Sequence, residues 1–366
     1  MIGQIKHLMA HFKIKFELAV FLPTKNPGNS ILDSIDSFTS LNNSNSILII
    51  VDNGEPISIE GFFDKINKFE NITYIKIDSK NKLNFVNYVE EYPNILLKLF
   101  KSKVNFPKYF TQIGDDDLLI SQSTLVKAIE ILDKDNEISY VVPSVIEKNF
   151  DRKEKYFNHQ NQKISNINFL NKWFNEKYSF DLSVDESYLS HCLHSSIWRL
   201  EDLQKYECFK TLGLYKNNLW DGFGLDFTWY IKPISKKNTY VYLLGGDPMK
   251  LYNAHKDSMT SKFPIMFSYC YFCYLIHCYE WLNSKKEFIN NKILKEFIIR
   301  WINQMFSSYF AVHTLNKSEK YNSPVELYLK KKFLTFIYKQ CFKFLTIKTI
   351  TMMYYWTKKI PILKSS

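Results

Sequence analysis

The sequence is poor in the residues that staple and punctuate small folds: 366 positions hold 6 Cys, 10 Gly and 11 Pro. Six Cys over such a length make no disulfide framework. Cys192, Cys208 and Cys341 stand apart, while Cys270, Cys273 and Cys278 crowd one aromatic stretch. So little Gly and Pro excludes collagen-like and low-complexity architectures. A long apolar run is also missing. The longest uncharged stretch, Phe263–Tyr279, has 17 residues, but Pro264, His277 and four Tyr interrupt it, which argues against a membrane span. Leu18–Leu22 is too short for the apolar region of a signal peptide, and no small-residue cleavage site follows. The expectation is a cytoplasmic protein with reduced thiols. No P-loop, GxGxxG or GxSxG motif occurs. Cys270 and Cys273 have no second ligand pair and read as helix packing rather than zinc ligation, and His7 and His11 lack the acidic partner of a metalloprotease motif.

What the sequence has in plenty is aromatic side chains, 17% of the chain. Its length exceeds what one compact core usually holds, so a large domain with a sizeable appendage is expected. The net charge of +11 is uneven. From Tyr321 to Ser366 there are nine Lys, no Arg and one acid, a net of +8, leaving a nearly neutral body. A basic tail on a neutral body argues against nucleic acid as a partner, because nucleic-acid binding asks for basic residues spread over a folded face. In the tail Lys330, Lys331, Lys332, Lys339 and Lys343 alternate with Phe333, Phe336, Phe342 and Phe344. That pattern fits a helix lying in an anionic membrane surface, with RNA binding or a solvated helix on the body as the other readings.

Strands alternate with helices through the first half. Phe16–Leu22 reads as a strand ending in the turn-rich Pro23-Thr24-Lys25-Asn26-Pro27-Gly28, and Asn29 or Ser30 then caps a helix with Ile31, Ile35, Phe38 and Leu41 on one face. Ile47–Val51 is a second strand, cut off by Asp52-Asn53-Gly54. A helix over Ile59–Phe69, a strand over Thr73–Ile77 and a helical stretch over Val86–Leu99 follow. Tyr109–Ile113 is a fourth strand, running into Gly114 and the triplet Asp115-Asp116-Asp117. Such alternation predicts right-handed βαβ units and a mostly parallel sheet flanked by helices, an α/β fold with ligands beyond the carboxyl ends of its strands. Asn149–Asn168, charged and Asn-rich, reads as a surface loop. Tyr240–Leu244 is a late strand, and the pattern from Pro264 onward is helical.

Three adjacent carboxylates repel one another, so a fold keeps them in water or around a cation, and oxygen ligands suit Mn²⁺ or Mg²⁺. A solvated turn before a helix beginning near Ser121 or Ser123 is the plainer alternative. In order and spacing, FLPTKNPGNSILDSIDSFTS, ILIIVDNG and YFTQIGDDDLL resemble the nucleotide-binding half of GT-A glycosyltransferases, in particular the inverting, DXD-containing family 2. The resemblance is good over about residues 16–125 and loose to His255. It implies a GT-A domain over 1–262, with a nucleotide-binding half at about 16–125 and an acceptor half at about 126–262. A helical, aromatic and basic region over 263–366 follows. It further implies that Pro23, Thr24 and Asn26 contact the nucleotide, that Asp52 accepts from the base, that Asp115 or Asp116 lies near ribose and sugar hydroxyls, and that Asp117 with His255 holds Mn²⁺ or Mg²⁺. Gly114 departs from the family pattern, which often has a further Asp there, so the register of the acidic motif is open by one residue.

The same resemblance places the catalytic base at Asp226, in Gly224-Leu225-Asp226-Phe227 at a helix start, with Asp221 as its rival and helix capping as the structural alternative. Trp198, Trp220 and Trp229 bracket this region and suit either sugar stacking or core packing. The expected activity is transfer of a sugar from a nucleotide diphosphate sugar, UDP-sugar favoured, to a surface-glycan or lipid-linked saccharide acceptor, at the inner face of the cell membrane. A sugar-nucleotide nucleotidyltransferase is a second reading, although Lys25 and Gly28 serve poorly as its Gly-rich loop. A non-catalytic membrane-surface scaffold is a third.

Overall fold

The structure is a computed structural model that describes residues 16–24, 26–41, 45–52, 55, 57–76, 107–148, 153–177, 194–208, 225–236, 238–253, 274, 277–282 and 284, without the side chains of 171, 173–177 and 225–227. The chain divides into two compact units, Met1–Ser258 and Met259–Ser366. Of the second unit, residues 277–282 are helical. The expected helix over Val86–Leu99 and the basic tail lie outside the described residues. No helix among the described residues is long and apolar enough to cross a membrane.

The first unit is built on an eight-stranded sheet. β1 (Leu18–Thr24) and β2 (Ser46–Asp52) lie at its parallel centre and are buried along almost their whole length. Their sequences are continuous apolar runs, as a strand covered on both faces requires. β3 (Ile72–Lys76) alternates buried and half-buried residues at the edge beyond β2. β4 (Tyr109–Gln112) pairs parallel with β1 on the other side. β10 (Ile197–Arg199) then runs antiparallel between β4 and β6 (Ile138–Pro143). β11 (Tyr240–Leu244) pairs parallel with β6 and antiparallel with β9 (Gln162–Ser165). The largely parallel α/β sheet is the one that the strand–helix alternation predicts, and the antiparallel pairings of β10 and β9 make it mixed.

Helices cover the sheet through narrow apolar stripes. α1 (Ser30–Ser40) buries Ile31, Ser34, Ile35 and Phe38, positions near helical spacing. α2 (Phe62–Ile66) is shorter than the sequence pattern predicts and buries Phe62 and Ile66. α3 (Gln122–Lys134) buries Leu125, Ala128, Ile129 and Leu132, and the Ser121 hydroxyl caps it by accepting from the Thr124 N–H. α4 (Asn166–Lys177), α5 (Leu200–Lys205) and α6 (Leu225–Ile231) follow, with a short 3-10 turn at Pro233–Ser235.

A second sheet, β5-β12-β7-β8, joins β5 (Leu118–Leu119), β12 (Lys250–Asn253), β7 (Val145–Lys148) and β8 (Glu154–Phe157). The surface-loop reading of Asn149–Asn168 is therefore corrected. Residues 154–157 pair with β7, 162–165 pair with β11, and α4 opens at Asn166. Asn158 and Asn161 occupy the connection between β8 and β9, while Asn166 and Asn168 belong to α4. Asn158 Oδ1 accepts from the Ser144 hydroxyl, and Asn161 Oδ1 accepts from the Gly245 N–H.

Aromatic side chains fill the middle of the main sheet. Trp198 is 1% exposed, with ring centroids 6.0 Å from Phe110, 6.2 Å from Tyr140 and 5.7 Å from Trp229. Trp229 is buried as well, and its indole N–H donates to the Cys208 carbonyl. Both are core residues, which corrects the sugar-stacking alternative for Trp198 and Trp229. Trp220 lies outside the described residues.

Candidate functional site

The carboxyl ends of β1, β2 and β4 assemble the polar residues. Parallel register sets Thr24 beside Asp52 and Asp52 beside Lys76, a row across three neighbouring strand ends. The Ile113 N–H donates to the Phe21 carbonyl and carries β4 into the acidic turn. That turn closes back on β1, where the Thr24 hydroxyl donates to Asp115 Oδ2 at 2.5 Å. Pro23 and Thr24 are the last residues of β1. Asn26 follows with φ of 52°, a left-handed conformation that Asn tolerates, and its Oδ1 accepts from the Glu55 N–H at 2.6 Å. The loops after β1 and β2 are thus tied to each other. His255 and Asp221 lie outside the described residues.

Asp52 is completely buried. Its Oδ2 accepts from the Tyr74 hydroxyl at 2.7 Å and from the Lys76 ammonium at 2.6 Å, and Lys76 also donates to the Glu55 carbonyl. Burial, together with the hydrogen bond to Asp52, raises the Tyr74 pKa and keeps this phenol a donor. The expected base contact at Asp52 therefore comes with two partners that the sequence reading missed. Their signal was present: in the strand Ile72–Lys76, Tyr74 and Lys76 share one face because side chains alternate.

The acidic triplet divides. Asp115 and Asp116 are half-buried, whereas Asp117 is 2% exposed. Both Asp117 oxygens are turned to protein donors. Oδ2 accepts from the Gly114 N–H at 2.8 Å and lies 2.7 Å from the Lys250 ammonium, and Oδ1 accepts from the Asn253 N–H at 3.2 Å. The Asn253 side-chain amide also donates to the Asp116 main-chain carbonyl. These contacts follow from sheet register. Antiparallel pairing sets Leu251 opposite Leu118 and Lys250 opposite Leu119, which brings β12 alongside the acidic turn. Lys250 and Asn253 also escaped the sequence reading, which names only His255 in this part of the chain. Tyr252 lies between them, and burial with the charges of Asp117, Asp116 and Glu147 raises its pKa.

Asp226 is the second residue of α6. The later part of this helix is fixed on the core: Trp229 bonds to Cys208, and the Tyr140 hydroxyl donates to the Tyr230 carbonyl. Among the described residues no three His, Cys, Asp or Glu side chains converge as a metal-binding group.

No protein-family model matches the chain, and no curated protein matches it in sequence. Solved structures match it in fold. Residues 1–349 of S. aureus TarS align at a TM-score of 0.55 and 12% identity, over 83% of this chain and 76% of that one. The same TarS fragment in complex with UDP-GlcNAc aligns at a TM-score of 0.51 and 11% identity, over 80% and 73% of the two chains. The mannosyltransferase of Pyrobaculum calidifontis, in complex with GDP-Man and Mn²⁺, reaches a TM-score of 0.43 at 11% identity, too distant to build on. At such identities the likeness concerns architecture alone, the mixed and largely parallel α/β sheet flanked by helices.

Proposed function

We propose that this chain is an inverting glycosyltransferase of the family 2 type, moving a sugar from a nucleotide diphosphate sugar to a glycan or lipid-linked saccharide acceptor. The observation that carries the reading is the meeting of Thr24, Asp52, Asp115 and Asp116 at the carboxyl edge of three adjacent strands, sealed by the Thr24–Asp115 hydrogen bond. In open α/β sheets that edge is where nucleotides bind. The TarS fragment of similar fold binds UDP-GlcNAc, which supports a UDP-sugar as donor.

In this reading Asp52, held by Lys76 and Tyr74, accepts from the imide N–H of the base. Asp226, at the start of α6, takes the proton of the acceptor hydroxyl. The hydroxyl oxygen bonds to the anomeric carbon as the bond from that carbon to the diphosphate breaks, and the nucleoside diphosphate leaves from the opposite face. Divalent-cation chemistry suits the half-buried Asp115 and Asp116, with their hard carboxylate oxygens, better than Asp117, which is 2% exposed and accepts from protein donors at both oxygens. A cation of the Mg²⁺ or Mn²⁺ kind needs only one or two protein carboxylates when phosphate oxygens supply the rest, and it would neutralise charge on the departing diphosphate. The basic tail, Tyr321–Ser366, would dock the protein on an anionic membrane surface at the cytoplasmic face, where lipid-linked acceptors reside.

A panel of UDP- and GDP-sugars tests the reading by calorimetry and by release of nucleoside diphosphate. UDP-sugar binding is expected, with transfer lost by roughly 10²–10⁴-fold in Asp226→Asn while donor affinity persists. No binding of any sugar nucleotide, with or without Mn²⁺, would falsify it.

A further inference from the structure

Gly114 sits where two carboxylates converge. A side chain at this position would meet Asp116 Oδ1 at 2.8 Å and Asp117 Oδ2 at 2.9 Å. Carboxylates gathered that closely repel one another, and the protein places a cation among them: the Lys250 ammonium, as buried as Asp117 itself. The strand leaves this ammonium little freedom. Lys250 is held in register opposite Leu119, and the Ile120 N–H donates to the Met249 carbonyl beside it. Asn253, three residues on, takes the second oxygen of Asp117 and the main chain of Asp116. β12 thus fastens the inner side of the acidic turn.

We propose that Lys250 is a positioning residue of the donor site: its ammonium holds Asp117 inside the protein as its own counter-charge and leaves Asp115 and Asp116 as the carboxylates of the triplet that meet a divalent cation or a diphosphate. The proposal rests on the reading of this edge as a donor site. Three carboxylates and one ammonium give the turn a net charge of −2. Asp117 then sets the turn's shape and charge without ligating metal.

The test is Mn²⁺ binding to the full chain, counted by loss of the free-ion electron paramagnetic resonance signal, with and without UDP. Asp117→Asn leaves the Lys250 ammonium unbalanced and should weaken Mn²⁺ binding about tenfold or more. Lys250→Met/Asp117→Asn restores the net charge and should bind Mn²⁺ within about twofold of the parent. A direct ligand could not be rescued in this way, so a double variant as weak as Asp117→Asn overturns the proposal. A parent chain that binds neither Mn²⁺ nor UDP instead overturns the donor-site reading, and the proposal with it. A further measurement needs no variant. When Mg²⁺ is titrated into the parent chain labelled with ¹³C at its Asp carboxyl groups, the Asp115 and Asp116 resonances should shift. An equal shift at Asp117 overturns the assignment.

Discussion

Two buried carboxylates lie at the same edge of the sheet, each joined to a lysine, and they are built for different uses. The Asp52–Lys76 pair is 2.6 Å long, with the carboxylate fully buried and the lysine side chain 29% exposed. The Asp117–Lys250 pair is 2.7 Å long, with both side chains only 3% exposed. Water can reach Lys76 and take over part of its work, so this pair can open at modest cost. Asp117 has no such alternative. A half-open pair suits recognition, where contacts form and break, whereas a sealed pair suits architecture.

The largest expected effect comes from breaking the sealed pair. Lys250→Met strands a buried carboxylate and should cost about 3–5 kcal/mol of unfolding free energy, read by denaturant titration. Lys250→Met/Asp117→Asn should recover most of that loss. Equal losses in the single and double variants would show that the two charges are not coupled.

Acid sharpens the comparison through a third buried ionisable group. His159 is 5% exposed, and burial, with the charge of Lys172 adding, lowers its pKa to about 4. Burial favours the neutral form of this imidazole. Its folded pKa lies below the unfolded value near 6.5, so between the two the unfolded chain binds a proton that the fold does not. Stability should therefore fall as pH drops from about 6.5 towards 4, by up to about 3 kcal/mol, and His159→Gln should flatten that slope. A melting profile that is level across this window in the parent chain would contradict it.

Opening the half-open pair should cost less. Lys76→Met is expected to lose about 1–2 kcal/mol, because the Tyr74 hydroxyl still donates to Asp52 and solvent reaches the gap. UDP affinity should change more than stability does. The fully surface pair Lys134–Glu130 sets the floor: Lys134→Ala should shift unfolding by less than about 0.5 kcal/mol.

Most of the parallel half of the fold was readable from the sequence because its strands are long and apolar enough to stand out. β1, β2, β3 and β4 fall within two residues of their expected bounds, and β11 matches the expected Tyr240–Leu244. β5 has two residues and β10 three, too few to carry a period, and both are held by their neighbours more than by their own sequence. The site follows the same division. Thr24, Asp52 and the triplet are visible because each ends a strand. Lys250 is not, because its meaning depends on pairing with a strand more than a hundred positions earlier in the chain.

The antiparallel insertion of β10 bears on the order in which the chain is made. β1, β2, β3 and β4 can pair as soon as they leave the ribosome, but the outer edge of β4 must wait. Thr111 donates to the carbonyl of Ser196, 85 positions later. At about 5–20 residues per second, that edge stays open for roughly 4 to 17 seconds of synthesis, and Phe110 lacks its Trp198 cover for as long. An apolar strand edge exposed for seconds is a template for wrong pairing. The nascent chain, more than the finished protein, is therefore where a chaperone would matter. Chains halted before residue 197 should aggregate more readily than chains released after it.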